Sequence, residues 1–345
     1  MIKVGIAGAS GYTGVELVKL ISNHPQARLE AVTSNQYAGQ AFTEIFPSMR
    51  GFENLICETL DPARLAGRID LIFLALPHKV SMAHAPAFID QGIKVVDLSA
   101  DFRFSQVAAY ESAYQPHSAK ALMAQSVYGL SEMYRDEIKQ ANIIGNPGCY
   151  PTSILLPLLP LLREKCIEPQ GLISDSKSGV SGAGRGLSLT THFCETNENF
   201  SAYKVGNHRH VPEINEQLST HAGVDVKITF TPHLVPVTRG MISTIYAQVT
   251  PGTTEDQIRK IYDTYYGAEP FVRCLEPGKF PAMSHVRGTN CCDFGIHLDS
   301  SQGRLVIVSA IDNLLKGAAG QAVQNMNIMM GRPDTEGLNY VLTPL

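Results

Sequence analysis

"IKVGIAGASGYTGVELVKLIS", residues 2–22, decides how the chain folds. The run "IKVGIA" (2–7) is a short apolar strand. "GASGYTG" follows at once, with Gly8, Gly11 and Gly14 spaced three and three. Val15, Leu17, Val18, Leu20 and Ile21 then recur at roughly helical spacing and stop before Pro25. Strand, glycine turn and helix make the first βα unit of a parallel sheet. The spacing departs from the G-x-G-x-x-G dinucleotide fingerprint, yet the physics is kept. Small residues let the backbone approach a pyrophosphate, and the helix N-terminus supplies N–H donors and a favourable dipole. Ser10 and Thr13 add hydroxyls.

The pattern repeats outward. "RLEAVTS" (28–34) is a second strand and "DLIFLALP" (70–77) a buried third. A helical stretch from Lys79 to about Gln91 leads to the strand "KVVDLS" (94–99). Strands alternating with helices predict an α/β fold, a Rossmann-like doubly wound parallel sheet with helices on both faces. In NAD-binding folds an acidic residue ends the second strand and holds the ribose 2′-OH. Here that strand ends "VTSNQ", with Ser34 and Asn35 and no carboxylate, which favours the 2′-phosphate of NADP. The alternative is that both are turn residues only.

Beyond residue 149 the texture changes. "PTSILLPLLPLLREK" (151–165) is helical, with Pro157 and Pro160 predicted to kink or interrupt it. The strand-like runs "GLISDSKSGV" (171–180), "DVKITFTPHLVPV" (225–237), "MISTIYAQVT" (241–250) and "RLVIVSAI" (304–311) follow, with helical "TEDQIRKIYDTYYG" (254–267) among them. A separate α+β unit with a mainly antiparallel sheet is expected. "DNLLKGAAGQAVQNMNIMMG" (312–331) is a last long helix, with Asp312 or Asn313 capping its start and Gly331 its end. The expected domains are 1–148 for the cofactor, 149–311 for substrate and catalysis, and 312–345 as a closing segment.

Composition bounds the function. A chain of 345 residues suits two domains, and a net charge of −4 gives no support for a nucleic-acid partner. No apolar run approaches the ~20 residues of a membrane span. The start reads as a strand rather than a secretory leader. Seven cysteines without a C-x-x-C pair indicate reduced thiols in a cytoplasm and no metal site. The adjacent Cys291 and Cys292 read as strand residues.

"GNPGCYPT" (145–152) holds Cys149 between Pro147 and Pro151, directly after Gly148. A packing cysteine normally sits within an apolar run, whereas a reactive thiol needs a fixed turn near a helix start. Cys149 is therefore a candidate nucleophile. "SKSGVSGAGRG" (176–186) gathers Lys177, Ser178, Ser181 and Arg185 on a glycine-rich loop, an anion cradle if it is not simply a solvated loop. "HRHVPEI" (208–214) sets His208 and His210 about Arg209, both facing one way if the chain is extended there. They are base candidates.

Together, "GASGYTG", "LALPH", "DLSADFR", "GNPGCYPT", "KSGVSGAGR", "HRHVPEI", "TPHLVPVTRG" and "IDNLLKGAAGQAVQN" closely resemble the N-acetyl-γ-glutamyl-phosphate reductases, relatives of the aspartate-semialdehyde dehydrogenases. The resemblance runs in order from residue 3 to about residue 330. It implies the NADPH-dependent reduction of an acyl phosphate to an aldehyde in arginine biosynthesis, through a thioester on Cys149, with the histidine pair in the active site. His210 is assigned the proton transfer first and His208 second. Arg185, Arg209 and Lys177, with Ser178 and Ser181, are expected to hold the substrate's carboxylate and phosphate. Tyr12, Leu76, Pro77, His78 and Gly179 join the glycine loop as expected cofactor contacts, and Asn313 is placed at the nicotinamide carboxamide or as a helix cap. The resemblance further implies that the final helix returns to the N-terminal domain, and a homodimer or homotetramer is expected. The nearest alternatives are an aspartate-semialdehyde dehydrogenase or a related acyl-phosphate reductase.

Overall fold

The computed structural model describes residues 1–51 and 55–339. They form two compact units, residues 1–147 with 318–339, and residues 148–317.

In the first unit the apolar runs pair side by side as parallel strands. They are β1 (Ile2–Ala7), β2 (Ala27–Thr33), β3 (Cys57–Glu58), β4 (Leu71–Leu74), β5 (Lys94–Asp97), β6 (Val127–Tyr128) and β7 (Ile143–Gly145). Their order is β3–β2–β1–β4–β5–β7–β6, and every pair is parallel. Because β1 lies between β2 and β4, the sheet reverses its winding there, and ligands of such sheets bind beyond the strand C-termini at that point. All four residues of β4 are buried, as a strand covered on both faces requires. Helix α1 (Tyr12–Ser22) buries Leu17, Val18, Leu20 and Ile21. Helix α2 (Ser81–Ile89) is shorter than the expected span of 79–91.

The last helix, Gly320–Met329, is buried along its whole length and packs on α1 and β5. Its Asn325 is bonded on both amide atoms within the unit. Asn325 Nδ2 donates to the Gly129 carbonyl (2.8 Å) and to Asn146 Oδ1 (3.0 Å), and Ser131 Oγ donates to Asn325 Oδ1 (2.8 Å). The helix does not start at residue 312 as expected. A π-type turn, Leu315–Ala319, precedes it. Residues 340–345 of the expected closing segment lie outside the described residues.

The second unit carries β8 (Ile173–Gly179), β9 (Ser201–Ala202), β10 (Thr229–Val235), β11 (Met241–Gln248), β12 (Val272–Cys274), β13 (Cys292–Asp299) and β14 (Arg304–Ile311). The order is β12–β13–β14–β11–β8–β10–β9. The pairs β12–β13 and β8–β10 are parallel and the rest antiparallel, so the sheet is mixed. Cys292 opens β13.

Helix α3 (Cys149–Arg163) packs on β11 and β14, flanked by α4 (Val211–Ala222) and α5 (Glu255–Tyr266). It runs through Pro157 and Pro160 as one helix, so the interruption that the sequence allowed does not occur. Pro160 has no N–H for the carbonyl of Leu156 one turn earlier, but the Tyr266 hydroxyl on α5 donates to that carbonyl instead. A neighbouring helix thus supplies the donor that the proline lacks. Burial of every residue from Tyr150 to Leu162 outweighs the lost ladder bonds.

Candidate functional site

In the first unit the glycine loop joins β1 to α1. Gly8 has φ +79°, and a Cβ there would stand 2.3 Å from the Ala75 carbonyl oxygen. A Cβ on Gly14 would stand 2.3 Å from the Gly8 oxygen. Gly11 is uncrowded, and its N–H closes the turn onto the Gly8 oxygen at 3.1 Å. The first bond from this turn into α1 runs from Val15 N–H to the Gly11 oxygen, so Tyr12, Thr13 and Gly14 carry first-turn N–H groups. A cradle without side chains, at the end of β1 and beneath a helix N-terminus, fits a dinucleotide pyrophosphate.

The expected neighbours of the loop are close to it. Ser10 Oγ lies 2.9 Å from Ser34 Oγ, which ties the loop to the end of β2. Ser34 is buried and Asn35 exposed. Glu58, at the end of β3, is committed to Arg68 in a two-point ion pair (2.8 and 3.0 Å). Arg68 holds the Glu58 carboxyl below the usual range. Leu76 reaches Gly8, its Cδ2 lying 3.4 Å from where a Gly8 Cβ would be. Pro77 is exposed, while the His78 Nδ1 accepts the Ala100 N–H at 2.8 Å.

In the second unit Cys149 is the first residue of α3, with Gly148 as its N-cap. The thiol is partly exposed at the positive end of a fifteen-residue buried helix, which favours negative charge there. The Gly148 N–H donates to Glu213 Oε1 at 2.9 Å, and Glu213 is itself buried. Tyr150, next in the chain, meets His208 edge-on at 5.4 Å and His210 at 5.9 Å between ring centroids. Its hydroxyl receives the Tyr203 hydroxyl at 3.1 Å.

The two histidine rings lie 4.9 Å apart and both are buried. The backbone at 208–210 is a turn leading into α4, not extended, because Val211 and Pro212 already begin the helix. The turn itself brings the rings together. The His210 N–H donates to His208 Nδ1 at 3.2 Å, which leaves His208 its proton on Nε2. Burial, then the charges of Arg209 and Lys204, push the His208 pKa down to about 3. His208 is neutral at physiological pH.

The expected anion-binding residues divide. Ser178 and Ser181 are buried, whereas Arg185 and Arg209 are exposed. Lys177, on β8, is ion-paired to Asp175 at 2.9 Å. Gly179 ends β8 with its N–H on the Gly240 oxygen at 2.9 Å. Asn313 is buried and accepts the Gly240 N–H (2.7 Å) while donating to Ser181 Oγ (2.9 Å). The capping belongs to Asp312, whose Oδ1 takes the N–H groups of Leu314 and Leu315 and whose Oδ2 meets Arg239 Nε at 2.8 Å. Both residues therefore bond within the second unit, although the sequence groups them with the closing segment.

Glu213, Tyr203 and the Arg239–Asp312 pair were not singled out from the sequence. Glu213 stands three residues after His210, and its charge two residues into an apolar helix face was the available signal. Among the described residues no group of three or more His, Cys, Asp or Glu is placed to hold a metal, and no helix is long and apolar enough to cross a membrane.

Two family models match the chain. They are the NAD binding domain of semialdehyde dehydrogenases over residues 3–141 and their dimerisation domain over residues 149–313. Among solved structures, an aspartate semialdehyde dehydrogenase II from Vibrio cholerae superposes with TM-score 0.73 at 17% identity, covering 96% of this chain and 98% of that one. The Candida albicans aspartate semialdehyde dehydrogenase with NADP gives 0.71 at 18%, covering 96% and 98%. These likenesses establish the fold, an α/β Rossmann-like unit followed by an α+β unit, as expected. Curated relatives are closer in sequence. An N-acetyl-gamma-glutamyl-phosphate reductase of Desulforapulum autotrophicum is 62% identical over 338 residues, 98% of either chain. One of Desulfotalea psychrophila is 54% identical over 342 residues, 99% of either chain. With near-complete coverage at such identity, the chain belongs to the N-acetyl-gamma-glutamyl-phosphate reductase family.

Proposed function

We propose that this protein reduces N-acetyl-L-glutamyl 5-phosphate to N-acetyl-L-glutamate 5-semialdehyde and phosphate, with NADPH, in arginine biosynthesis. The observation that carries the reading is Cys149 at the head of the buried helix α3, its preceding N–H fixed by the buried Glu213. The Cys149 thiolate attacks the acyl carbon and displaces phosphate, leaving a thioester. Bound NADPH supplies the hydride. His210 returns a proton to the oxygen of the resulting thiohemiacetal and takes it back as the aldehyde leaves, while His208, neutral, holds the His210 backbone.

The cofactor is held by the glycine loop, with Ser10, Tyr12, Thr13, Ser34, Asn35, Leu76, Pro77 and His78 about it. Preference for NADPH follows from the absence of a carboxylate beside Asn35 at the end of β2, where one would repel a 2′-phosphate. Arg185 and Arg209, exposed cations of the second unit, take the substrate's α-carboxylate and phosphate. Ser178 and Ser181 line the same segment. Lys177 acts through its pair with Asp175. We assign Asn313 to the nicotinamide carboxamide and Gly179 to the cofactor. We further propose that the chain works in the cytoplasm as a homodimer or homotetramer.

The test is the reverse reaction. N-acetylglutamate semialdehyde, phosphate and NADP⁺ should generate NADPH, and aspartate semialdehyde should be far poorer. Its chain is one methylene shorter, worth only ~1–3 kcal/mol, and its ammonium would be desolvated without a partner. Cys149→Ser should abolish turnover while leaving NADPH binding nearly intact. Comparable activity on both aldehydes would defeat the substrate assignment, and normal turnover by the serine variant would defeat the thioester.

A further inference from the structure

"DLSADFR" (97–103) contains a buried carboxylate, Asp101, to which no step of the reaction above assigns a task. Three donors converge on it. Oδ1 accepts the Lys79 N–H (2.8 Å) and the Tyr110 hydroxyl (2.9 Å), and Oδ2 accepts the Met82 N–H (3.1 Å). Lys79 has φ +75°, a left-handed conformation that costs a residue with a Cβ and needs an external hold. Asp101 supplies that hold. It is fixed in turn by Ser99, whose Oγ accepts the Asp101 N–H (3.1 Å) and donates to Asp97 Oδ2 (2.7 Å). The Tyr110 ring is stacked on Tyr114 at 5.0 Å.

The segment that leads from Lys79 back to β1 walls the glycine cradle through Ala75 and Leu76. The Ala75 oxygen and Leu76 Cδ2 are the atoms that a Cβ on Gly8 would meet, and the Ala75 N–H is bonded to the Ala7 oxygen at 2.9 Å. One end of the segment is thus anchored on β1 and the other on Asp101. Two N–H groups and a phenol need three acceptor sites on two oxygens. A carboxylate offers them, an amide oxygen in the place of Oδ1 still serves Lys79 and Tyr110, and alanine offers none.

We propose that Asp101 is a positioning residue for the nicotinamide cofactor: by holding Lys79 left-handed it fixes the Leu76–His78 wall before the cofactor arrives. The inference rests on the cofactor reading given above. If the loop loses its hold, only a fraction of molecules present the wall, and the apparent Kd rises by the inverse of that fraction.

The experiment is NADPH titration by fluorescence, together with thermal melting, on the full chain. Asp101→Ala, which removes both acceptor oxygens, should raise the NADPH Kd by about tenfold or more. Lys79→Gly alone should change it less than about threefold, since glycine takes the same φ freely. Added to Asp101→Ala, Lys79→Gly should recover about fivefold, because the left-handed conformation no longer needs the hold. Loss of melting temperature without change in Kd, or a double variant no better than Asp101→Ala, would reduce Asp101 to a structural residue and overturn the proposal. Should Asp101→Ala fail to fold, hydrogen exchange of the cofactor-free wild type decides. Slow exchange at the Lys79 and Met82 amides supports the proposal, and exchange as fast as an exposed loop overturns it. Failure of the wild type to bind NADPH would sink the cofactor reading instead.

Discussion

Glu213 and Gly148 lie 65 residues apart in the chain, and a 2.9 Å hydrogen bond from the Gly148 N–H to the Glu213 carboxylate joins them. This bond fixes the residue before Cys149 from the first turn of α4. The same helix begins directly after His210, so one element sets both the thiol's approach and the histidine's place.

Glu213→Ala leaves a buried N–H without its acceptor and should cost about 1–3 kcal/mol of stability. Turnover should fall further than stability alone explains, since the cap of α3 is loosened beside the thiol. Glu213→Gln keeps an acceptor oxygen and should restore most of both. Chemical denaturation and kcat measured on the two variants check this, and equal behaviour of alanine and glutamine would refute it.

Cofactor choice is open to a one-residue test. Asn35 is exposed, so Asn35→Asp introduces a carboxylate without disturbing the core. It should lower kcat/KM for NADPH by about tenfold and raise that for NADH, through repulsion of a 2′-phosphate and acceptance from a ribose hydroxyl. Unchanged ratios would place the 2′-position elsewhere.

His208 gives a pH dependence of known sign. Its folded-state pKa is about 3, below the ~6.5 of an unfolded histidine, so between those values the unfolded chain binds more protons. Its contribution to stability is complete above pH ~6.5 and is lost as the pH falls towards 3. Burial lowers His221 to about 4 and lowers His24 too, so the wild type carries three such slopes from its histidines. Asp97, raised by its burial and the charge of Asp101, contributes a slope of opposite sign. The difference between wild type and His208→Gln isolates one residue. Melting temperatures from pH 7 to pH 4 should fall less steeply in the variant, and parallel curves would contradict the buried neutral histidine.

Tyr266→Phe should cost about 1–2 kcal/mol, because the Leu156 carbonyl then has neither the phenol nor an N–H from residue 160. In a Pro160→Ala background the restored N–H should remove much of that cost. A double-mutant cycle reads the coupling directly, and additive effects would show that the phenol does not stand in for the proline.

What the sequence alone determined is whatever short-range rules encode. The apolar runs at 2–7 and 71–74, the helical period after Gly14, the crowding of Gly14 against Gly8, and the turn holding Cys149 are local, and each acts through its immediate neighbours. The ordered motifs carried the family for the same reason. Tertiary structure decided the rest. An uninterrupted α3 depended on a tyrosine more than a hundred residues onward, which no helix propensity contains. Asp312, not Asn313, became the cap because Asn313 found Gly240 and Ser181 across the unit. Glu213 and Asp101 read as ordinary charges until folding buried each beside N–H groups distant in sequence. A hydrogen bond between remote residues leaves no period or spacing in the chain, so its existence is fixed only when packing brings donor and acceptor within three ångströms and removes the water that would otherwise serve both.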